Sequence, residues 1–155
     1  MKTLRALFLP LAVSAIALAA GCSNKQESAS TAQSFDSAVS IHLRAIATAN
    51  LEALDPTIGD SVTMISPLGD RTTTKTQFME LHKYWFSQTN WTWRPTILEK
   101  THSDSLGYTL LKYRYTEKDS AGNIRSDDSY LVLIFKNSNA GWKLIHDQNT
   151  KIPVK

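Results

Sequence analysis

Two kinds of hydrophobic spacing follow each other along the chain. Between residues 35 and 54, and again between 78 and 86, apolar side chains recur every three or four positions, as on one helix face. From residue 91 to 150, four long runs rich in aromatic and β-branched residues are typical of strands. The predicted elements are, in order, a helix capped by Ser34, a helical turn at 50–54, a strand at 60–66, a return strand at 71–74, a helix capped by Thr74, and strands at 91–101, 106–118, 125–135 and 141–150.

The order of these elements predicts the fold class. Helices come before a run of long strands that short turns connect, which favours an α+β fold with helices on one face of an antiparallel sheet. Pro95, near the start of the first long strand, suits an edge strand or a bulge. Thr74 and Gln77 form a capping-box pattern at the start of the second long helix.

The first 33 residues have a different character. Residues 1–5 carry two positive charges, and a short apolar run follows, as in an export signal. The run ends in Leu-Ala-Ala-Gly-Cys at 18–22, which resembles the lipobox of bacterial lipoproteins, although leucine is commoner than Ala19 at its position. The resemblance implies a signal peptide at 1–21 and lipid attachment to Cys22. An ordinary signal peptide with a leftover thiol is the alternative. The polar residues 22–33 predict a flexible tether.

The lipobox also implies a location. A lipidated Cys22 would anchor the protein to a membrane of the bacterial cell envelope. In the sorting rule of enterobacterial lipoproteins, an aspartate after the cysteine retains the protein in the inner membrane. Ser23 stands there, which favours the outer membrane, with the domain facing the periplasm.

Charge and motif patterns exclude several partners. The chain of 155 residues has a formal charge of only +3 and no basic cluster, so nucleic acid is not expected as a partner. Neither His-x-x-x-His nor Cys-x-x-Cys spacing occurs, so no metal or other cofactor is expected. Cys22 is the only cysteine, which excludes a disulfide within one chain.

Four stretches together resemble the nuclear transport factor 2-like superfamily and, within it, the SnoaL-like group. They are ANLEAL at 49–54, GDSVTMISPLG at 59–69, TKTQFMELH at 74–82 and GWKLIHDQ at 141–148. The resemblance covers about residues 35–150, and we assign the domain to 34–152. It implies a cone-shaped α+β barrel, in which a curved, mainly antiparallel sheet wraps around about three N-terminal helices. Such cones usually enclose a pocket, and members of the superfamily often dimerise.

The ketosteroid isomerase branch of the superfamily suggests where pocket residues stand. Ser66 matches the position of the aspartate that acts as the general base in the isomerase. A hydroxyl without an adjacent base cannot act as that base. His42 matches a tyrosine that donates to the oxyanion, and a histidine can also donate. Met64 shares a strand face with Ser66 and is expected in the same pocket. Tyr113 is a further candidate for the pocket wall, although such aromatics more often pack in a core.

His146 and Asp147 are neighbours near the chain's end. Side chains of consecutive strand residues point to opposite faces, so the two cannot form a side-by-side dyad. By alternation His146 shares a face with Trp142. If Trp142 meets the helices, His146 looks into the pocket near its mouth. The alternative is that Ile145 points inward and His146 faces a partner subunit.

These features predict a lipid-anchored periplasmic domain that binds a small apolar or amphipathic molecule, or a partner protein. The alternative is an enzyme of isomerase, dehydratase or hydrolase type that acts on a small hydrophobic substrate, with His42 and His146 as proton-transfer groups. A carboxylate pointing into the pocket would favour the enzyme, whereas a neutral apolar pocket would favour binding. Apolar residues on both strand faces also predict a homodimer through the outer face of the sheet.

Overall fold

The computed structural model of the protein describes residues 33–154. The predicted signal peptide, Cys22 and the tether as far as residue 32 lie outside this range. Within 33–154, no helix combines the length and the apolar character that crossing a bilayer requires.

Three helices and six strands, in the predicted order, make up the described chain. The helices are α1 (Phe35–Ala47), α2 (Leu51–Leu54) and α3 (Lys75–Ser87), and a 3₁₀ turn, Asp55–Thr57, follows α2. The strands are β1 (Ile58–Ile65), β2 (Arg71–Thr72), β3 (Trp91–His102), β4 (Leu106–Lys118), β5 (Ile124–Ser138) and β6 (Gly141–Lys151). The predicted α+β fold, with N-terminal helices and a curved, mainly antiparallel sheet, is confirmed.

Side-chain caps begin both long helices. The Ser34 hydroxyl accepts from the Ser37 N–H at 3.2 Å, and the Thr74 hydroxyl accepts from the Gln77 N–H at 3.2 Å. The Gln77 amide oxygen reaches back to the N–H of Thr73, at 3.1 Å, rather than to that of Thr74. The capping box is therefore present with its return bond shifted by one residue.

The strands form one sheet in the order β2-β1-β6-β5-β4-β3. All neighbouring pairs are antiparallel except β1 and β6, which run parallel. The strand that contains Pro95 is an edge strand, β3, and its pairing with β4 shifts between Ile97 and Glu99. Proline is tolerated there because an edge strand has neighbours on one side only.

Phe35 fixes α1 to the sheet. It is buried and lies 5.0 Å from the ring of Trp142 and 5.9 Å from that of Phe135, measured between centroids. A Cβ atom at Gly107 would stand only 2.6 Å from the Phe35 ring. The absence of a side chain at Gly107 therefore lets the helix approach β4 closely.

A bulge in β6 decides which side chains of this strand face the helices. Leu144 pairs with Phe135 and His146 pairs with Ile134, so Ile145 is an extra residue without a partner on β5. Beyond the bulge, Asp147 pairs with Leu133 and Asn149 with Leu131. Cross-strand pairs share a face, and Leu133, Leu131 and Phe135 all belong to the core. The inward face of β6 therefore changes from even-numbered residues to odd-numbered residues at Ile145.

Candidate functional site

A cavity of about 430 Å³ lies between α3, the turn after β1 and the inner face of the sheet. Its volume is within the usual range of small-molecule sites. Aromatic side chains supply much of its wall. The aromatic residues that line it, besides one histidine, are Trp85, Trp93, Tyr113 and Tyr115.

The sequence suggested five residues for the pocket, and three of them line this cavity. They are Met64, Ser66 and Tyr113. Tyr113 is largely buried and donates from its hydroxyl to the side-chain oxygen of Asn149 at 3.0 Å. The Ser66 hydroxyl accepts from the N–H groups of Leu68 and Asp70, each at 3.2 Å. Ser66 therefore also organises the turn at the cavity's edge.

His146 is not among the lining residues, contrary to the expectation from strand alternation. Trp142 does face the core, as that expectation required. The bulge at Ile145 then reverses the alternation, and His146 lies on the outer face beside its partner Ile134. The geometric reason is the extra residue, which moves every later side chain of β6 to the opposite face.

His42 also does not line the cavity and is fully buried. The Thr57 hydroxyl donates to the Leu54 carbonyl at 2.7 Å. It must therefore accept from His42 Nδ1, which is 2.9 Å away. This assigns the proton to Nδ1, and Nε2 has no partner among the described residues. Burial, with a smaller contribution from His82, lowers the pKa of His42 to about 3. His42 is a neutral core residue.

Asp147 takes the place that His146 was expected to fill. Its side chain lines the cavity although the residue is only 4% exposed. Its Oδ1 accepts from the Asn149 amide at 2.6 Å, and the same amide donates to the Ile65 carbonyl at 3.0 Å. Together with the bond from Tyr113 to Asn149, these contacts form one connected polar network.

Burial gives Asp147 unusual acid–base properties. Loss of hydration raises the pKa of its carboxyl to about 7, and the hydrogen bond from Asn149 offsets only part of this effect. No lysine or arginine forms an ion pair with Asp147 within residues 33–154. The carboxyl can therefore give or take a proton near neutral pH.

His82 is a second titratable group in the wall. Its Nδ1 lies 2.8 Å from the Phe78 carbonyl oxygen, which can only accept, so Nδ1 carries the proton and Nε2 carries a lone pair. The ring stacks on Phe78 at 4.1 Å between centroids. Burial lowers the pKa of His82 to about 4, and the imidazole stays neutral at physiological pH.

The sequence carried a signal for one of these two missed residues. Phe78, His82 and Trp85 have the spacing of one helix face, which places His82 beside core residues. Asp147 had no such signal, because simple alternation assigned it to the outside.

Within residues 33–154, no group of three or more histidine, cysteine, aspartate or glutamate side chains is arranged to hold a metal ion.

The raised pKa of Asp147 predicts a pH-dependent stability. The folded protein keeps this proton up to about pH 7, whereas the unfolded chain loses it near 3.8. The group therefore removes stability as the pH rises through that window. Asp147→Asn abolishes the titration and keeps an acceptor for Asn149. We expect the unfolding free energy of Asp147→Asn to rise relative to that of wild type as the pH rises. The difference between the two proteins should grow by about 2 kcal/mol or more between pH 5 and 8, since each pKa unit corresponds to about 1.4 kcal/mol.

Urea unfolding at a series of pH values measures this difference. The lowered pKa values of His42 and His82 act in the opposite sense, since their stability contribution is lost as the pH falls below 6.5. That contribution is present in both proteins and cancels in the comparison. Asp104→Asn, at an exposed position, is the control and should show no such trend. A pH-independent difference between wild type and Asp147→Asn would contradict the assignment.

Solved structures with this architecture come from several organisms. A ketosteroid isomerase-like protein from Erwinia carotovora atroseptica has a TM-score of 0.66 at 18% identity, covering 77% of this chain and 94% of its own. A nuclear transport factor 2-like superfamily protein from Salmonella enterica has a TM-score of 0.63 at 14% identity, covering 76% and 87%. The association domain of C. elegans CaMKII has a TM-score of 0.55 at 16% identity, covering 72% and 88%. Such identities show a shared fold and nothing about shared chemistry.

No functionally curated protein matches the sequence. The profile of the SnoaL-like domain family, by contrast, matches residues 36–154, which is nearly all of the described chain. The resemblance noted in the sequence is thereby confirmed: the protein belongs to the SnoaL-like domain family, within the nuclear transport factor 2-like superfamily.

Proposed function

We propose that the cavity binds a small, largely apolar molecule that places one polar group against Asp147. The observation that carries this proposal is a buried carboxyl in a cavity that aromatic side chains also line. Apolar walls with a few fixed polar groups are typical of sites for small molecules. The fold supports the proposal, because proteins with this architecture include an isomerase-like protein.

The polar network gives the site a fixed orientation. Tyr113 and Ile65 hold the Asn149 amide from two sides, and Asn149 in turn holds Oδ1 of Asp147. The other carboxyl oxygen, Oδ2, makes no hydrogen bond to any described residue. Binding of a polar ligand group at Oδ2 therefore requires no rearrangement of the network, which lowers the cost of binding.

A titration with neutral aromatic alcohols, starting with 2-naphthol, tests the proposal by calorimetry. We expect saturable binding at one site. Ser129→Phe adds a ring at a buried lining position of β5 and should abolish binding. Ser126→Phe, at an exposed position of the same strand, is the matched control and should bind normally, with circular dichroism reporting the fold of both variants. Equal binding by the two variants would contradict the proposal. So would the absence of binding of every tested aromatic alcohol by wild type.

Proton transfer by Asp147 is the second candidate function. The cavity contains a carboxyl, which is the feature that favours an enzyme over a simple binding protein, and its pKa of about 7 suits a general acid or base. The two histidines first considered for this role do not line the cavity. If a bound compound is turned over, the rate should depend on a group that titrates near pH 7. Asp147→Asn should then lower the rate by about 100-fold or more, and His146→Gln should leave it unchanged.

We propose that Cys22 anchors the protein to a membrane of the cell envelope, with the domain in the periplasm. The lipobox-like residues 18–22 after a charged and apolar leader support this location. Wild-type protein should enter the detergent phase on extraction, and Cys22→Ala protein should stay in the aqueous phase. A wild-type mass without acyl chains would contradict the anchor.

We also propose a homodimer through the outer face of the sheet. Partly exposed apolar side chains cluster there on neighbouring strands, including Leu110, Tyr130, Val132 and Ile134. An association domain has the same fold, which supports the proposal by analogy. Sedimentation of residues 34–155 at micromolar concentration should give a dimer mass. Val132→Asp should give a monomer, and Thr92→Asp, at an exposed position on edge strand β3, should not. A monomeric wild type would remove the idea.

A further inference from the structure

We propose that the ligand of the cavity is a small amphipathic amine, whose ammonium group lies between the Asp147 carboxylate and the ring faces of Trp93 and Tyr113. This inference rests on the proposed binding function and adds the chemical class of the ligand. Three independent features of the cavity support it.

The first feature is the lack of a cation next to Asp147. The carboxyl is 4% exposed and faces the cavity, and none of the described lysine or arginine side chains pairs with it. Burial of an ionised carboxylate is costly unless a cation pairs with it. A ligand ammonium provides the missing partner and can donate hydrogen bonds to it.

The second feature is the aromatic surface beside that carboxyl. The Asn149 side chain accepts from the Tyr113 hydroxyl at 3.0 Å and donates to Oδ1 of Asp147 at 2.6 Å. The Trp93 ring lies 5.6 Å from the Tyr113 ring, and both line the cavity. Ring faces of tryptophan and tyrosine attract cations, most strongly where water is excluded. The same cavity therefore offers a cation both the carboxylate and these two rings.

The third feature is the charge balance of the whole wall. Four carboxyl side chains line the cavity, against two cationic side chains, Arg125 and Lys151. Both cations pair with Asp127, at 3.1 and 2.8 Å, and neither pairs with Asp147. This excess of carboxyl groups attracts a cationic ligand and disfavours an anionic one.

Binding of an amine has a further consequence that can be measured. In the free protein the pKa of Asp147 is about 7. A bound ammonium group favours the ionised carboxylate, so binding at pH 7 releases a proton and becomes tighter as the pH rises to 8. A neutral ligand releases none.

Three probes of matched size test the inference: 2-phenylethylammonium, 2-phenylethanol and phenylacetate. Calorimetry at pH 8 should show the ammonium compound binding about tenfold or more tightly than the alcohol, in line with charged hydrogen bonds, and no binding of phenylacetate. Titrations at pH 7 in two buffers of different ionisation enthalpy should show proton release for the ammonium compound alone.

Two variants test whether the Asp147 carboxylate causes the preference for the ammonium compound. Asp147→Asn should lower the affinity for 2-phenylethylammonium about tenfold or more and that for 2-phenylethanol much less, because an asparagine side chain can still hydrogen-bond a hydroxyl group but carries no charge. Asp128 does not line the cavity. Asp128→Asn, which removes one negative charge elsewhere on the sheet, should therefore keep the preference. If Asp147→Asn fails to fold, Asp147→Glu replaces it and should retain the preference for the ammonium compound.

The outcomes separate this inference from the proposed function. Binding of the alcohol or of phenylacetate as tightly as the ammonium compound by wild type would overturn the amine assignment and leave a cavity that binds small molecules. Failure of all three probes would also overturn it, and the aromatic alcohol series would then decide whether the cavity binds anything. Proton release that persists in Asp147→Asn would equally contradict the role of Asp147.

Discussion

One extra residue in the last strand determines the chemistry of the cavity. Ile145 has no partner on β5, and beyond it the side chains of β6 change faces. Without this bulge His146 would face the helices and Asp147 the outer side of the sheet. Because backbone pairing resumes on both sides of Ile145, the change costs the sheet little regular hydrogen bonding. It nevertheless places a carboxyl in the cavity.

The surrounding groups satisfy one oxygen of this carboxyl and leave the other without a hydrogen bond to any residue that the structure describes. Asn149 donates to Oδ1 of Asp147, while Tyr113 and the Ile65 carbonyl fix the orientation of Asn149. This arrangement holds the side chain still without neutralising it. Burial raises the pKa of this acid to about 7, although the hydrogen bond from Asn149 lowers it, so its charge is easily changed by what binds beside it.

The buried histidines serve different purposes despite the same tautomer. In both, Nδ1 carries the proton, because a carbonyl accepts from His82 and a hydroxyl committed to another carbonyl accepts from His42. His82 lines the cavity and adds a neutral lone pair to its wall. His42 packs against Phe135 edge to face in the core. His42 therefore does not line the cavity, although it matches the position of the oxyanion-binding tyrosine in the ketosteroid isomerase branch.

The sequence by itself determined the elements, their order and the α+β class, because these depend on local periodicity, caps and turns that neighbouring residues specify. The family was indicated by four stretches that resemble the SnoaL-like group. The sequence also identified Met64, Ser66 and Tyr113 as residues that the structure places on the cavity wall. Only the tertiary structure decided the polar centre. The bulge at Ile145 arises from pairing between strands, so the spacing of apolar residues within β6 does not predict it. The pKa of Asp147 likewise depends on burial by residues from distant parts of the chain, and that burial exists only once the sheet has closed around the cavity.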